Sequence, residues 1–201
     1  YSGGRGRGIV VNRKKKVMVI GLDCAAPELV FERWLDQLPH IKRLVKGGYF
    51  GRMRSSDPPI TVPAWASMVT EKDPGQLGFY GFRNRTSHDY GEIGLVDSTA
   101  LQEPTVWDIL GKHGYRSIVI GVPPSYPPKP IRGHLISCFL TPDRSAVHTY
   151  PEDLGAELER VVGEYRFDVT QFRTSDAENL LTQIYEMTRT RFAAARYLLR
   201  A

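Results

Sequence analysis

Two residues in this chain are of types, and in settings, that could do chemistry: Thr61 and Asp23. Thr61 lies in Arg54-Ser55-Ser56-Asp57-Pro58-Pro59-Ile60-Thr61-Val62-Pro63-Ala64-Trp65-Ala66-Ser67-Met68-Val69-Thr70. Pro58 and Pro59 fix φ and push their predecessors toward extended backbone. Pro63 suits the first turn of a helix, where its missing N–H costs nothing. Thr61 is therefore expected at, or just before, a helix N-terminus, where unpaired N–H groups and the helix dipole favour an anion. A hydroxyl held there with a metal nearby ionises readily and becomes a nucleophile. The plainer reading is a helix N-cap. Asp23 ends Lys16-Val17-Met18-Val19-Ile20-Gly21-Leu22-Asp23. A carboxylate at the carboxyl end of a strand is a candidate metal ligand. Its plainer reading is a cap for the following helix, since Pro27 opens a helix expected over Glu28 to Leu38.

The elements that must hold these residues alternate. The apolar run 16–23 suits a central parallel strand covered on both faces. Ile41 to Val45 continues helical, stopped by Gly47-Gly48, and Tyr49 to Arg54 reads as a short strand. Asp73-Pro74-Gly75 and the aromatics to Phe82 are turn chemistry that lines or covers a pocket. Residues 83–100 read as a hairpin or lid. A helix is expected over Thr105 to His113 and ends at Gly114. A buried-type strand is expected over Tyr115 to Val122, and another over His134 to Cys138. Between them, Pro123-Pro124-Ser125-Tyr126-Pro127-Pro128-Lys129-Pro130 makes a stiff loop, structural rather than peptide-docking. Thr141 to His148 reads as polar loop, Pro151 to Val162 as a helix, and Asp176 onward as one long amphipathic helix. This order predicts an α/β fold, an α/β/α sandwich with a mostly parallel central sheet.

The bulk properties narrow the class. With 201 residues, 41% hydrophobic and 24% charged, the chain can bury a sizeable core. No apolar run approaches the roughly 20 residues of a membrane span, and no secretory signal is legible. Cys24 and Cys138 are too few for a disulfide framework and match no zinc spacing, so a cytoplasmic setting is expected. The net charge of +5 is local. Arg5, Arg7, Arg13, Lys14, Lys15 and Lys16 open the chain without an acid, and the remaining 21 basic and 22 acidic residues nearly cancel. Residues 1–15 are expected to be a flexible Gly/Arg arm. Such an arm can touch nucleic acid or acidic lipid, but the fold offers no basic face, which argues against a nucleic-acid partner. Residues 16–201 then form the folded part.

In order and spacing, Val19-Ile20-Gly21-Leu22-Asp23, Pro59-Ile60-Thr61-Val62-Pro63-Ala64-Trp65, Thr70-Glu71-Lys72-Asp73-Pro74-Gly75 and Gly81-Phe82-Arg83 resemble the amino-terminal half of the alkaline phosphatase superfamily, in its type I phosphodiesterase/nucleotide pyrophosphatase branch. The resemblance covers most of residues 16–200. It implies an alkaline-phosphatase-like fold, incomplete here, and a two-metal phosphoryl-transfer site acting on phosphate esters. The ions would be zinc, with manganese as the alternative. It implies that Asp23 and Thr61 bind one metal, that Thr61 is the nucleophile, and that the Val62 N–H holds a phosphate oxygen. Cys24 and Glu71 stand where the family favours glycine, and Leu77 where histidine is common. Cys24 is expected to be a small buried filler.

The family's remaining Asp and His ligands have no counterpart here. His40, His88, His113, His134 and His148 are scattered without ligand spacing. The chain therefore reads as the amino-terminal part of a metal-dependent phosphodiesterase or phosphohydrolase, with the carboxy-terminal part of the same enzyme as its partner. The alternative is a non-catalytic α/β interaction module, or an inactive fragment of the same fold.

Overall fold

A computed structural model of the chain describes residues 15–200 except Thr86, His88, Tyr90 and Gln171. The basic arm, save Lys15, lies outside the described residues, as does His88. The chain forms two compact units, the first ending at Arg52 and the second beginning at Met53.

In the first unit, residues 15–22 run without strand pairing among the described residues. Val17, Met18, Val19, Ile20 and Leu22 are exposed, which corrects the expectation of a covered parallel strand. An apolar run supplies the propensity for a strand, but the ladder needs a neighbour. The helix expected over Glu28 to Leu38 is broken in two. A wide turn spans Glu28–Arg33, closed by Trp34 N–H donating to the Leu29 carbonyl at 2.9 Å, and a tight turn spans Leu35–Gln37. Pro39 then disfavours helical backbone at Leu38 and opens α1, Pro39–Gly47. Tyr49 to Arg54 forms no strand. Phe50 instead packs its ring on Phe31, centroids 4.5 Å apart.

The second unit is mixed α/β and begins with α2, Thr61–Thr70, and α3, Pro74–Leu77. Asp73 and Gln76 cap α3 reciprocally. The 83–100 stretch contains the anticipated hairpin, β1 (Arg83–Arg85) against antiparallel β2 (Ile93–Leu95). Helix α4, Val106–Lys112, is capped by Thr105 and Asp108 in the same reciprocal way as α3. The sheet that follows has the order β3-β4-β5. Strands β3 (Ser117–Ile120) and β4 (Gly133–Ile136) pair in parallel, and β5 (Thr149–Tyr150) joins β4 antiparallel. The parallel pairing depends on Gly133. At its φ of +140° a Cβ would stand 1.9 Å from the Ser117 carbonyl oxygen, a separation only glycine avoids. The short β5 falls just after the stretch read as polar loop. Helices α5 (Leu154–Val162) and α6 (Ala177–Leu198) complete the unit, and the Asp176 carboxylate caps α6 through the Asn179 N–H at 3.0 Å.

Two buried clusters hold this unit together. Ile136, Leu154, Leu158, Tyr165, Phe167, Ala194 and Leu198 bind α5 and α6 to the sheet. Val62, Ala66, Phe79, Val96 and Leu101 seat α2, with Leu140 packed against them. Burying a side chain such as Val62, fully enclosed here, contributes on the order of 1.5–3 kcal/mol, so the first turn of α2 is firmly anchored.

Candidate functional site

The start of α2 is set by its sequence. Ile60, at φ −107° and ψ 142°, is the N-cap, and no side chain caps the helix. Thr61 is the first helical residue, so it does not fill the capping role that was its plainer reading. Its hydroxyl has no hydrogen-bond partner among the described residues, and the side chain is half-buried. Pro63 brings no N–H, and the Ala64 N–H already donates to the Ile60 carbonyl at 2.9 Å. The helix's unspent donors in its first turn are thereby the N–H groups of Thr61 and Val62, next to the free hydroxyl.

The surroundings of that turn are equally defined. Val62 shares its cluster with Val96 and Leu101, and Leu140, four residues past β4, packs on the same cluster. Ser98 donates its N–H to the Tyr126 carbonyl at 2.7 Å and its hydroxyl to the Pro127 carbonyl at 2.5 Å. Lys129 donates to the Leu101 carbonyl at 2.8 Å. These bonds pin the proline-rich loop that leaves β3 to the segment packed on α2. The first turn of α2 thus lies beside the chain leaving the carboxyl ends of β3 and β4, the end at which open α/β sheets bind ligands. The proline-rich loop also holds a polar group that sequence pattern did not single out. Ser125 is 4% exposed and its hydroxyl has no partner among the described residues. The available signal was a serine set among prolines directly after a strand.

Asp23 belongs to the first unit and is exposed. One of its carboxylate oxygens accepts from the Cys24 N–H at 2.9 Å and from the Cys24 thiol at 3.6 Å. It does not cap the following turn, whose cap residue, Pro27, provides no side-chain bond. Cys24 is exposed, which corrects its reading as a buried filler. It occupies a left-handed backbone position at φ +56°. The neighbouring Asp23 carboxylate, through its charge first and its hydrogen bond second, pushes the Cys24 thiol up.

The described residues contain no group of three or more His, Cys, Asp or Glu able to hold a metal ion. Asp23 and Thr61 offer donors suited to a hard or borderline cation, but two such donors do not make up a ligand set. The described histidines do not converge. His40 lies on α1, His113 ends α4 and His134 lies in β4. His148 shares its Nδ1 with the Ala146 carbonyl at 2.8 Å and sets its ring edge against Phe167. A cavity of about 410 Å³ between residues 144–149, α5 and Tyr165 contains neither Thr61 nor Asp23 in its walls. Among the described residues, no helix is long and apolar enough to cross a membrane.

At the start of α2, in this mixed α/β unit, a free hydroxyl stands with two unspent N–H groups, an arrangement that favours an anion. Residues 17–197 match the family model of type I phosphodiesterase / nucleotide pyrophosphatase, and the chain belongs to that family. The membership carries a phosphoester-hydrolase kind of function, acting on phosphoric ester bonds, in a family that is generally metal-dependent. No curated protein and no solved structure matches the chain.

Proposed function

We propose that the protein is a metal-dependent phosphodiesterase in which Thr61 is the nucleophile. The Thr61 oxygen bonds to phosphorus as the bond to the leaving oxygen breaks. The hydroxyl proton passes to solvent, and the departing oxygen takes up a proton from solvent to leave as an alcohol or, from an aryl ester, a phenol. Water then displaces Thr61 from phosphorus and restores the hydroxyl. The N–H of Val62, beside that of Thr61, donates to a non-bridging phosphate oxygen as charge builds on it. Asp23 is the proposed ligand of one of two divalent ions, zinc or manganese. Such ions, once bound, lower the pKa of a coordinated hydroxyl and stabilise a leaving oxygen. Their remaining ligands would come from beyond residues 1–201, and residues 16–201 would form one portion of the catalytic domain.

The observation that carries this reading is the state of Thr61. Its hydroxyl is unspent at the first residue of α2 and flanked by two unspent N–H groups. The test is turnover of an aryl phosphodiester by the full-length, metal-loaded protein. Thr61→Ala should lower kcat by orders of magnitude with little change in KM, and Thr61→Ser should retain substantial activity. A Thr61→Ala protein with normal kcat ends the assignment.

A further inference from the structure

Helix α4 and the segment entering β4 form an open groove of about 390 Å³. Its walls include Trp107 and Lys112 from α4, Pro130, Ile131 and Arg132 from the chain just before β4, and Tyr150 from β5. Gly111 lets these walls approach: a Cβ there would stand 3.3 Å from the Arg132 Cβ. The Ser117 N–H, at the start of β3, donates to the Arg132 carbonyl at 2.9 Å, and Tyr150 pairs with Leu135 in the sheet. The groove therefore sits at the amino ends of β3 and β4, and the sheet fixes its backbone. The first turn of α2, with Thr61, lies toward their carboxyl ends.

The chemistry of the groove is aromatic and positive. Trp107 and Tyr150 are half-buried, and Lys112 and Arg132 are exposed. None of the ion pairs between described residues includes either cation. The acid on the wall, Asp108, is already bonded: its Oδ2 accepts from the Thr105 N–H at 2.8 Å and from the Thr105 hydroxyl at 2.6 Å. The carbonyls at the end of α4 are spent too, since those of Ile109, Leu110 and Gly111 accept from the N–H groups of His113, Tyr115 and Gly114. Two cations thus remain without a counter-charge beside two aromatic rings. Such rings stack on a planar heterocycle, and an ammonium and a guanidinium bind phosphate oxygens. A bare anion would leave the aromatic walls unused, and a neutral ring would leave the cations unused. The volume lies at the small end of the range for small-molecule sites, which suits a single nucleotide.

We propose that this groove binds a nucleoside monophosphate, its base against Trp107 and Tyr150 and its phosphate against Lys112 and Arg132, at a site separate from Thr61. The experiment uses the full-length protein stripped of metal by a chelator, which removes metal-assisted binding elsewhere. Adenosine monophosphate, adenosine and ribose phosphate are titrated by calorimetry at constant ionic strength. The expected result is saturable binding of adenosine monophosphate, tighter than either half-molecule by about tenfold or more. The double variant Lys112→Gln/Arg132→Gln, at two exposed positions, should weaken it by about tenfold or more, while Thr61→Ala should leave it unchanged. Trp107→Ala should weaken adenosine monophosphate and adenosine but not ribose phosphate, and the double variant decides the matter if Trp107→Ala does not fold. Adenosine monophosphate binding no tighter than adenosine or ribose phosphate overturns the proposal, as does unchanged affinity in the folded double variant. Affinity that falls in Thr61→Ala but not in the groove variants also overturns it, while leaving the nucleophile assignment standing.

Discussion

Cys24 and Glu71 share a left-handed backbone, at φ +56° and +63°, and among the described residues they are the two non-glycine positions that do. They are also the two positions at which the family resemblance favours glycine. Glu71 ends α2, its N–H donating to the Ser67 carbonyl at 2.9 Å. This left-handed terminus is formed here by a residue other than glycine, the residue that adopts it without strain.

Glu71→Gly should therefore stabilise the protein by about 0.5–1 kcal/mol, the relief of strain outweighing the added freedom of the unfolded chain. Urea unfolding of the two proteins measures this. A loss of stability in the glycine variant would mean that the glutamate side chain contributes more than the strain costs.

The threonines Thr61 and Thr105 separate capping from chemistry. Thr105 receives the Asp108 N–H on its hydroxyl and caps α4, whereas Thr61 caps nothing. Thr105→Ala should cost about 1 kcal/mol of stability and leave turnover per folded molecule unchanged. Thr61→Ala should cost a few tenths of that and abolish turnover. Melting temperature and kcat, measured on both variants, should move in opposite patterns. Equal losses of stability would return Thr61 to a structural role.

The Cys24 thiol provides a reading of the charge on Asp23. The carboxylate raises the thiol pKa, so at pH 8 alkylation of the exposed thiol in metal-free protein should be slower than that of a free cysteine. Asp23→Asn removes the charge, lowers the thiol pKa and should speed alkylation by iodoacetamide at pH 8, with the difference shrinking as pH rises above the thiol pKa. Cys138 is buried, so the modified residue is identified by peptide mapping. An unchanged rate would show that the two side chains do not interact in solution.

Elements marked by local chemistry were legible in the sequence. Pro63, Thr105 and Asp176 fix the starts of α2, α4 and α6 because a cap or an N-terminal proline acts through its nearest neighbours. Strands β3 and β4 also followed from pattern, and the hairpin 83–95 was one of the two readings, hairpin or lid, of an irregular polar stretch. Residues 17–22 did not, since their apolar character specifies burial but not the partner that provides it. Strand β5 is two residues long, too short for any period to show. At the candidate site, Thr61 could be placed at the helix start from its prolines alone. That Ile60 and not Thr61 caps the helix depends on one backbone turn, which the sequence leaves open. The contact between Arg191 and Tyr165 joins residues far apart in sequence and becomes visible only where α6 folds back on the sheet.

The central claim is that Thr61 bonds to phosphorus during turnover. The most direct measurement is intact-mass and peptide mass spectrometry of full-length, metal-loaded protein acid-quenched within the first turnovers of an aryl phosphodiester. A phosphoryl or phosphodiester group on Thr61, absent from Thr61→Ala and lost on longer incubation, is the predicted result. Rapid turnover with Thr61 unmodified at every quench time, and undiminished in Thr61→Ala, would contradict it.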